Sequence, residues 1–548
     1  MSFQSILFRN ADGSIKADTV EAPECFGDLN LDQIVEAITA GKKEYNLVPI
    51  FYTPLRDPAA IYYRHEVMQD LEDPTLMTNL KVFAEKMALV RRYLAMVEKL
   101  DFNYHKKGWF LEAALVYSES VSDLARYLSL ANLRSRGLSA FRQYITDYTH
   151  SHGFQSLSTE AREVKAGLAG LKYCVVIQPG KFKDEYFAVV TDHLKTLKFR
   201  NGILISAELG PGNEGTNYVL RKAHPAPPNW FKQVMRRKSP VYSYTLPPRD
   251  DHGARALGDL RDRGINLVAN AVAQSADHID SFFQMLQLEL AFYIGCLNLS
   301  EQLAQRGVPI GFPEPAPVSE RRLSFTGLYD VTLALTSTEK VVGNDVNADG
   351  KNLVIITGAN QGGKTTFLRA LGQSQLMMQC GMFVPAESYC ANLCQGIFTH
   401  FKREEDATMK SGKLDEELGR MSGIVSKITP NSIILFNESF AATNDREGSE
   451  IARQITSALV EKRIKVYFVT HLYDFARGFY EARLESTLFL RAERQEDGER
   501  TFKLIEGEPL ETSYGGDVYR QIFGNADVDQ PETGVIEMAA STASNLLD

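Results

Sequence analysis

A glycine-rich loop that begins at Gly358 carries the clearest chemical signal in this 548-residue sequence. It matches the pattern GxxxxGK followed by Ser or Thr, and it consists of Gly358, Ala359, Asn360, Gln361, Gly362, Gly363, Lys364 and Thr365. Glycines let backbone N–H groups close around phosphates at the start of a helix, where the helix dipole favours anions. We therefore predict that the loop and Thr366 bind ATP, with Lys364 reaching the β- and γ-phosphates and Thr365 binding Mg²⁺. A glycine-rich turn without a ligand is the alternative, and the complete motif disfavours it.

Two later segments supply the other groups that ATP hydrolysis needs. The apolar run 433–436 ends in Asn437 and Glu438, and the run 466–469 is followed closely by His471. Asn437 stands on the metal side, where its carbonyl can accept a hydrogen bond from Mg²⁺-bound water but adds no charge. Glu438 is the candidate general base, and His471 is predicted to sense the γ-phosphate. With Lys364 they form the predicted catalytic set; a plain strand-end acid and a structural histidine are the alternatives.

The pattern around these residues indicates the elements that position them. Short, continuously apolar runs at 353–356, 433–436 and 466–469 alternate with helical patterns, which is typical of buried parallel strands in an α/β fold. Residues 31–148 have helical periodicity. Strand patterns follow at 174–177, 186–190 and 203–205, and a helical pattern too long for an ordinary globular helix extends from 265 to 307. Residues 309–317 are predicted to form a proline-rich linker.

Composition limits the classes of function. The chain has 60 basic and 69 acidic side chains and a net charge of −9, which argues against a uniformly basic nucleic-acid coat but allows a local basic face. Six cysteines without a CxxC pair favour a reducing compartment. The N-terminus lacks the basic region of a signal peptide, and the apolar stretch 282–299 is interrupted by polar residues. We therefore predict a cytoplasmic protein without a membrane span.

Four stretches together resemble the ATPase domain of the MutS family of mismatch-repair proteins. They are TGANQGGKTTFLRAL, FVPAES, SIILFNESFAATNDREG and VYFVTHLYDFA, and the resemblance is dense over residues 323–523. The segments at 342–345 and 511–515 also resemble the family. Farther upstream, Pro54-Leu55-Arg56-Asp57-Pro58, followed by Ile61, Arg64 and Met68, is similar to the start of the family's helical core.

The resemblance implies a multidomain protein with an all-α core, long lever helices, a small β-containing clamp-like region and an α/β P-loop ATPase domain of the ABC type. The implied order is an N-terminal segment (1–50), the core (51–165), the clamp-like region (166–250), the lever (251–310), the ATPase domain (323–524) and a tail (525–548).

The sequence departs from the family in three places. A core that begins near residue 54 leaves no room for the mismatch-binding and connector domains, so we expect a divergent member without them. Asn437 replaces the metal-binding aspartate. The family's Ser-Thr-Phe segment, which reaches the partner's nucleotide across a dimer, is missing, and Ser411 and Gly412 are the residues that could replace it.

A basic stretch is the candidate contact with DNA phosphates. Its cationic residues are interleaved with aromatic ones and comprise Arg221, Lys222, Lys232, Arg236, Arg237 and Lys238. A solvated basic loop beside the acidic pair at 250–251 is the alternative.

We therefore predict a slow, Mg²⁺-dependent ATPase that binds double-stranded or branched DNA as a homodimeric, nucleotide-gated clamp. Two alternatives remain: a binder of branched or recombining DNA, and an ATP-switched protein-assembly module without nucleic acid.

Overall fold

The computed structural model describes residues 5–9, 23–40, 47–99, 103–151, 204–213, 215–221, 286–403, 412–495 and 500–510, with single positions at 154, 155, 158, 279 and 284. The chain forms two compact units. One comprises Met1–Ile6 and Asp70–Leu290, and the other comprises Leu7–Gln69 and Ala291–Asp548. Among the described residues, no helix combines the length and apolar character needed to cross a membrane.

Helices dominate the first half of the described chain. The helices are α1 (Cys25–Asp28), α2 (Leu31–Thr39), α3 (Val48–Tyr52), α4 (Pro58–Asp70), α5 (Pro74–Lys99), α6 (Asn103–Leu130), α7 (Arg136–His150) and α8 (residues 286–305). One hairpin, β1 (Leu204–Leu209) and β2 (Gly215–Arg221), precedes α8.

Strands and helices alternate after α8. The strands are β3 (Glu314–Ala316), β4 (Leu323–Leu328), β5 (Asn344–Asn347), β6 (Leu353–Thr357), β7 (Ser388–Asn392), β8 (Ile397–Phe401), β9 (Ile433–Asn437), β10 (Lys465–Val469), β11 (Thr487–Arg494) and β12 (Arg500–Glu506). The helices are α9 (Val331–Thr336), α10 (Lys364–Gln379), α11 (Lys413–Lys427), α12 (Asp445–Glu461) and α13 (Tyr473–Glu481).

The first unit is built on packed helices. Helix α6 packs against both α5 and α7, and the apolar stripe predicted on α5 is buried, with Phe83, Met87 and Val90 each no more than 3% exposed. Lys86 Nζ lies 3.2 Å from Asp123 Oδ2 and links α5 to α6. The predicted helical character of residues 31–148 is thus confirmed for the described positions. The strand predicted at 203–205 is confirmed as part of β1, whereas those predicted at 174–177 and 186–190 lie outside the described residues.

The described residues of the second unit form two sheets. The larger has the order β12-β11-β6-β10-β9-β8, and all its neighbours are parallel except β12, which runs antiparallel to β11. The three strands predicted from apolar runs are β6, β9 and β10, at its centre. Phe436 of β9 and Phe468 of β10 stack with ring centroids 4.7 Å apart in a core completed by α11, α12 and α13. The predicted α/β arrangement is confirmed.

The smaller sheet corrects one prediction. Its order is β3-β7-β4-β5, and β3 lies inside the segment predicted to be a proline-rich linker. The linker prediction is therefore wrong over Glu314–Ala316, where Glu314 pairs with Cys390 of β7. Pro315 lacks a backbone N–H, but β3 is an edge strand, so the side without a neighbouring strand does not need that donor.

Helix α10 is held firmly at its C-terminal end. Gln379 accepts a backbone hydrogen bond from Leu55 at 2.6 Å, and its side chain donates to the Leu55 carbonyl at 2.9 Å. The buried Arg64 of α4 donates to the Cys380 carbonyl at 2.6 Å and to Leu7 O at 3.1 Å. A cation at a helix C-terminus is favourable because the last carbonyls there carry partial negative charge.

Candidate functional site

The glycine-rich loop connects the end of β6 to the start of α10, as predicted. Gly358 has φ +110° and Gly363 has φ +85°, a backbone region that residues with a Cβ rarely adopt. A Cβ placed on Gly358 would lie only 2.9 Å from the Ala492 nitrogen of the neighbouring strand β11. Glycine is therefore required at position 358 both for the turn and for the close approach of β11. Helix α10 begins at Lys364 directly after Gly363, so its first N–H groups face the loop.

Lys364 lies inside the loop. Its ammonium donates hydrogen bonds to the carbonyls of Gly358 at 2.9 Å and Ala359 at 2.7 Å, and the residue is only 5% exposed. Burial, which disfavours the charged form, lowers the pKa of Lys364 to about 8; the nearby Glu438 opposes this shift. At neutral pH the loop therefore holds a buried positive charge, which is the feature that a phosphate group needs.

Asn437 and Thr365 meet at the carboxyl end of the central strands. Thr365 Oγ1 donates a hydrogen bond to Asn437 Oδ1 at 2.9 Å. The contact forms because β9 and β6 flank β10 in a parallel register, in which Val469 is paired with both Ile356 and Asn437. A hydroxyl and an amide oxygen are hard, neutral ligands that suit a Mg²⁺ ion retaining several waters, so these two residues fit the predicted metal position.

Glu438, the predicted general base, and His471, the predicted γ-phosphate sensor, are in contact with each other. His471 Nε2 lies 3.3 Å from Glu438 Oε1, and the two side chains are 31% and 32% exposed. The hydrogen bond from His471 is the main reason that the pKa of Glu438 is lowered, and the positive charges of Lys402 and Lys364 add to the effect while burial opposes it. Glu438 also has φ +53°, an uncommon backbone conformation for a residue with a side chain. The carboxylate is therefore ionised and oriented, as a group that positions water must be.

A buried network behind Glu438 fixes the following residues. The His400 ring contacts Ser439 Oγ at 2.7 Å and the Glu417 carbonyl at 3.0 Å, and Glu417 Oε2 accepts from the Phe440 N–H at 2.9 Å. Burial lowers the pKa of His400 to about 4 and raises that of Glu417. Helix α11 is thereby connected to the chain immediately after Glu438. Sequence reasoning missed this network because its members lie in three separate segments without a shared motif.

A cavity of about 390 Å³ opens over the loop. Its lining includes predicted loop residues from Asn360 to Thr366 and also Glu438. It further includes residues that the sequence did not indicate as site residues, among them Asn344 of β5 and Phe502 of β12. Beside it, Arg500 donates to Gln361 Oε1 at 2.8 Å. The fold thus brings the predicted loop residues together with Asn437, Glu438 and His471 at the carboxyl ends of the central strands. Strand β12 is a part of the site that was not predicted.

The remaining predicted site residues are described only in part. Gly412 precedes α11, with φ −63° and ψ 152°, and its carbonyl accepts from Glu416 N, whereas Ser411 lies outside the described residues. Arg221 is the last residue of β2. The other basic residues predicted to contact DNA lie outside the described residues: Lys222, Lys232, Arg236, Arg237 and Lys238. No cluster of three or more His, Cys, Asp or Glu side chains suited to a metal occurs within the described part of the chain.

The loop, the helix after it and the polar residues at the ends of adjacent parallel strands define a P-loop nucleotide-binding domain. Family profiles match both halves of the chain: one described as MutS domain V covers residues 354–546, and one described as the MutS2 N-terminal domain covers residues 169–306. The chain belongs to the MutS family. The predicted resemblance is confirmed, and the second profile covers most of the segment predicted to contain the clamp-like region and the lever.

Curated relatives share only part of their length with this chain. The DNA mismatch repair protein MutS of Streptococcus mutans is 27% identical over 263 residues, which is 47% of this chain and 30% of that protein. Its counterpart from Thermotoga sp. is 32% identical over 237 residues, covering 40% of this chain and 29% of that protein. That of Thermotoga maritima is 29% identical over 238 residues, covering 42% and 29%. The matched region thus spans about 30% of the length of these relatives.

Proposed function

We propose that the chain binds Mg²⁺-ATP in the cavity over the P-loop and hydrolyses it slowly. The observation that carries this proposal is the convergence of Thr365, Asn437, Glu438 and His471 at the carboxyl ends of adjacent strands, beside the buried Lys364 ammonium. Backbone amides of the loop and Lys364 bind and orient the phosphates. Thr365 and Asn437 would hold a Mg²⁺ ion, which would neutralise charge on the β- and γ-phosphates.

Glu438 orients the attacking water. Glu438 is ionised at neutral pH, the hydrogen bond from His471 lowers its pKa further, and the same contact fixes one carboxylate oxygen. At the proposed metal position, the described residues Thr365 and Asn437 contribute neutral oxygens. Less charge is therefore available to hold the metal and the leaving phosphate, which is why we expect slow turnover and a long-lived ATP-bound form.

Hydrolysis is tested with two variants of the full chain. Lys364→Ala should lose measurable ATPase activity and bind ATP weakly, because the ammonium next to the phosphates is gone. Glu438→Gln should bind ATP as tightly as the wild type but lose turnover. Arg453→Ala, which removes an exposed ion pair on α12, is the control and should behave as the wild type. Wild-type turnover in Glu438→Gln would reduce the site to a nucleotide-binding switch.

We further propose that nucleotide state controls DNA binding by a homodimer in the cytoplasm. Support comes from the relatives, which are named DNA mismatch repair proteins, and from the concentration of basic residues between 221 and 238 on a chain of net charge −9. The contacts would be to phosphates, so they would carry no sequence information and would be strongly salt-dependent.

DNA binding is tested by changing Arg236, Arg237 and Lys238 together to glutamate. Affinity should fall about equally for duplexes of different sequence, and the dependence on salt should become less steep. Perfect, mismatched, branched and single-stranded DNA are compared with ATP and without it, and sedimentation reports the oligomeric state. Preference for junctions would favour the recombination alternative. Salt-independent or undetectable binding in the wild type would favour an ATP-switched assembly module.

A further inference from the structure

A second lysine lies at the edge of the site, directly after strand β8. The hydrogen-bond ladder between β8 and β9 continues beyond the two strands, because the Lys402 N–H donates to the Asn437 carbonyl at 3.0 Å. Phe401 is paired with Asn437 in this parallel register, so Lys402 is the neighbour of Glu438. The Glu438 N–H in turn donates to the Val469 carbonyl at 2.9 Å. Lys402 and Glu438 therefore lie side by side at the carboxyl edge of the sheet.

Glu438 connects Lys402 to the nucleotide site. Glu438 lines the cavity over the P-loop, and its Oε1 lies 3.3 Å from His471 Nε2. The hydrogen bond from His471 is the main reason that the pKa of Glu438 is lowered, and the positive charge of Lys402 adds to this effect. A lysine carries its charge on a flexible four-carbon stem, so the Lys402 ammonium can cross the roughly 5 Å between neighbouring strands and reach the space in front of Glu438.

Lys402 and the next residue, Arg403, are both exposed cations, but their surroundings differ. Arg403 Nη2 lies 3.9 Å from Glu24 Oε2, so its charge is directed to a carboxylate outside the site. No carboxylate in the described part of the chain forms an ion pair with Lys402. The charge of Lys402 therefore remains available to an anion that binds beside Glu438.

The proposed metal position makes a further cation useful here. Thr365 and Asn437 offer a hydroxyl and an amide oxygen, which attract Mg²⁺ less strongly than a carboxylate does. The γ-phosphate of bound ATP would lie close to Glu438, since Glu438 orients the water that attacks it. An ammonium beside Glu438 would attract this phosphate whether or not the metal is bound.

We propose that the Lys402 ammonium contacts the γ-phosphate of bound ATP, so that the site distinguishes ATP from ADP. This proposal rests on the proposed ATP binding and adds the residue that detects the third phosphate. ADP ends at the β-phosphate, which the loop and Lys364 bind, and it places no charged group in front of Glu438. Lys402 thus contributes to the affinity for ATP and not to that for ADP.

The test compares a nucleotide that has the γ-phosphate with one that lacks it. Binding of ATP and ADP to the full chain is measured by calorimetry, with Mg²⁺ and with EDTA, for the wild type, Lys402→Ala and Lys402→Arg. Arg403→Ala is the matched control, since it removes the adjacent exposed cation. Lys402→Ala should weaken ATP binding by about 5- to 30-fold. This range extends from the loss of an exposed ion pair to the loss of one charge about 4 Å from a doubly charged phosphate in water.

The same substitution should leave ADP affinity within about twofold of the wild type. The loss of ATP affinity should be at least as large in EDTA, where no metal shares the charge of the phosphate. Lys402→Arg should retain most of the preference for ATP over ADP, and Arg403→Ala should retain all of it.

The proposal is overturned if Lys402→Ala keeps wild-type ATP affinity, even with a shifted kcat–pH profile, because Lys402 would then act only on Glu438. Equal losses of ATP and ADP affinity would also overturn it, since the γ-phosphate would not be the group that is contacted. If the wild type binds neither nucleotide, the proposed ATP binding itself fails, and this inference fails with it.

Discussion

Replacing Asn437 with aspartate places a negative charge where the structure has a neutral acceptor. Asn437 Oδ1 lies 2.9 Å from Thr365 Oγ1, so a cation bound to Thr365 would be roughly 4 Å from the new carboxylate. Attraction between a divalent ion and one charge at that distance is about 2 kcal/mol in water and about 8 kcal/mol at an effective dielectric constant of 20. The bulk-water value is the minimum for the half-buried Asn437, so Mg²⁺ should bind at least about thirtyfold more tightly.

The assay is a Mg²⁺ titration of ATP binding and of ATPase rate at fixed ATP concentration. Asn437→Asp should shift both half-saturation points to lower Mg²⁺ and raise the rate at limiting Mg²⁺. Asn437→Ala is the matched control, since it removes the acceptor without adding charge, and it should shift both points to higher Mg²⁺. Identical titrations for the wild type and Asn437→Asp would show that residue 437 does not face the metal, and the reasoning from its contact with Thr365 would be refuted.

Three further predictions concern charge and hydrogen bonding around the site. Without nucleotide, Lys364 has a pKa lowered to about 8 and loses its proton as the pH rises through that value, whereas a bound phosphate keeps it charged. ATP affinity measured by calorimetry should therefore fall about tenfold from pH 7 to pH 9. An affinity that does not change with pH would contradict a contact between Lys364 and phosphate. His471→Ala removes the main cause of the lowered Glu438 pKa, so the carboxylate should become protonated at a higher pH than in the wild type. The acid limb of the kcat–pH profile should then shift to higher pH. His471→Gln, which keeps a hydrogen-bond donor, is the control. Glu417→Ala leaves the buried Phe440 N–H without its acceptor, so it should cost about 1–3 kcal/mol of unfolding free energy and lower kcat more than it changes KM. Glu417→Gln should retain most of the stability and most of kcat. Equal effects of the two substitutions would exclude the hydrogen bond as the cause.

The central part of the site could be predicted from sequence because its signals are local. The loop from Gly358 to Thr365 is contiguous, and Asn437, Glu438 and His471 each follow closely on an apolar run of the kind typical of a buried strand. Parallel strands bring their carboxyl ends to one edge, so the order of the motifs along the chain was enough to predict that these side chains meet.

The parts that escaped prediction depend on register and on long-range pairing. The position of Phe502 is set by a bulge between β11 and β12, and no residue type in that stretch marks where two strands lose their register. Strand β3 could not be predicted because of Pro315: an edge position that tolerates a proline can be recognised only when the neighbouring strands are known. Glu417 of α11 accepts a hydrogen bond from Phe440, in the turn after β9, and no periodic sequence pattern marks this contact.

The attachment of the C-terminal end of α10 has a mechanical consequence. Its first residue, Lys364, contacts the P-loop, and its far end is bonded to Leu55 and Arg64 through Gln379 and Cys380. Separating the Arg64 guanidinium from its carbonyl costs about 1.5–3 kcal/mol, several times the thermal energy. A tilt of α10 would therefore carry residues 55 and 64 with it rather than break these bonds. The 16-residue helix therefore forms a hydrogen-bonded connection from the P-loop to Leu55 and Arg64, and we expect a displacement at its phosphate end to reach these two residues.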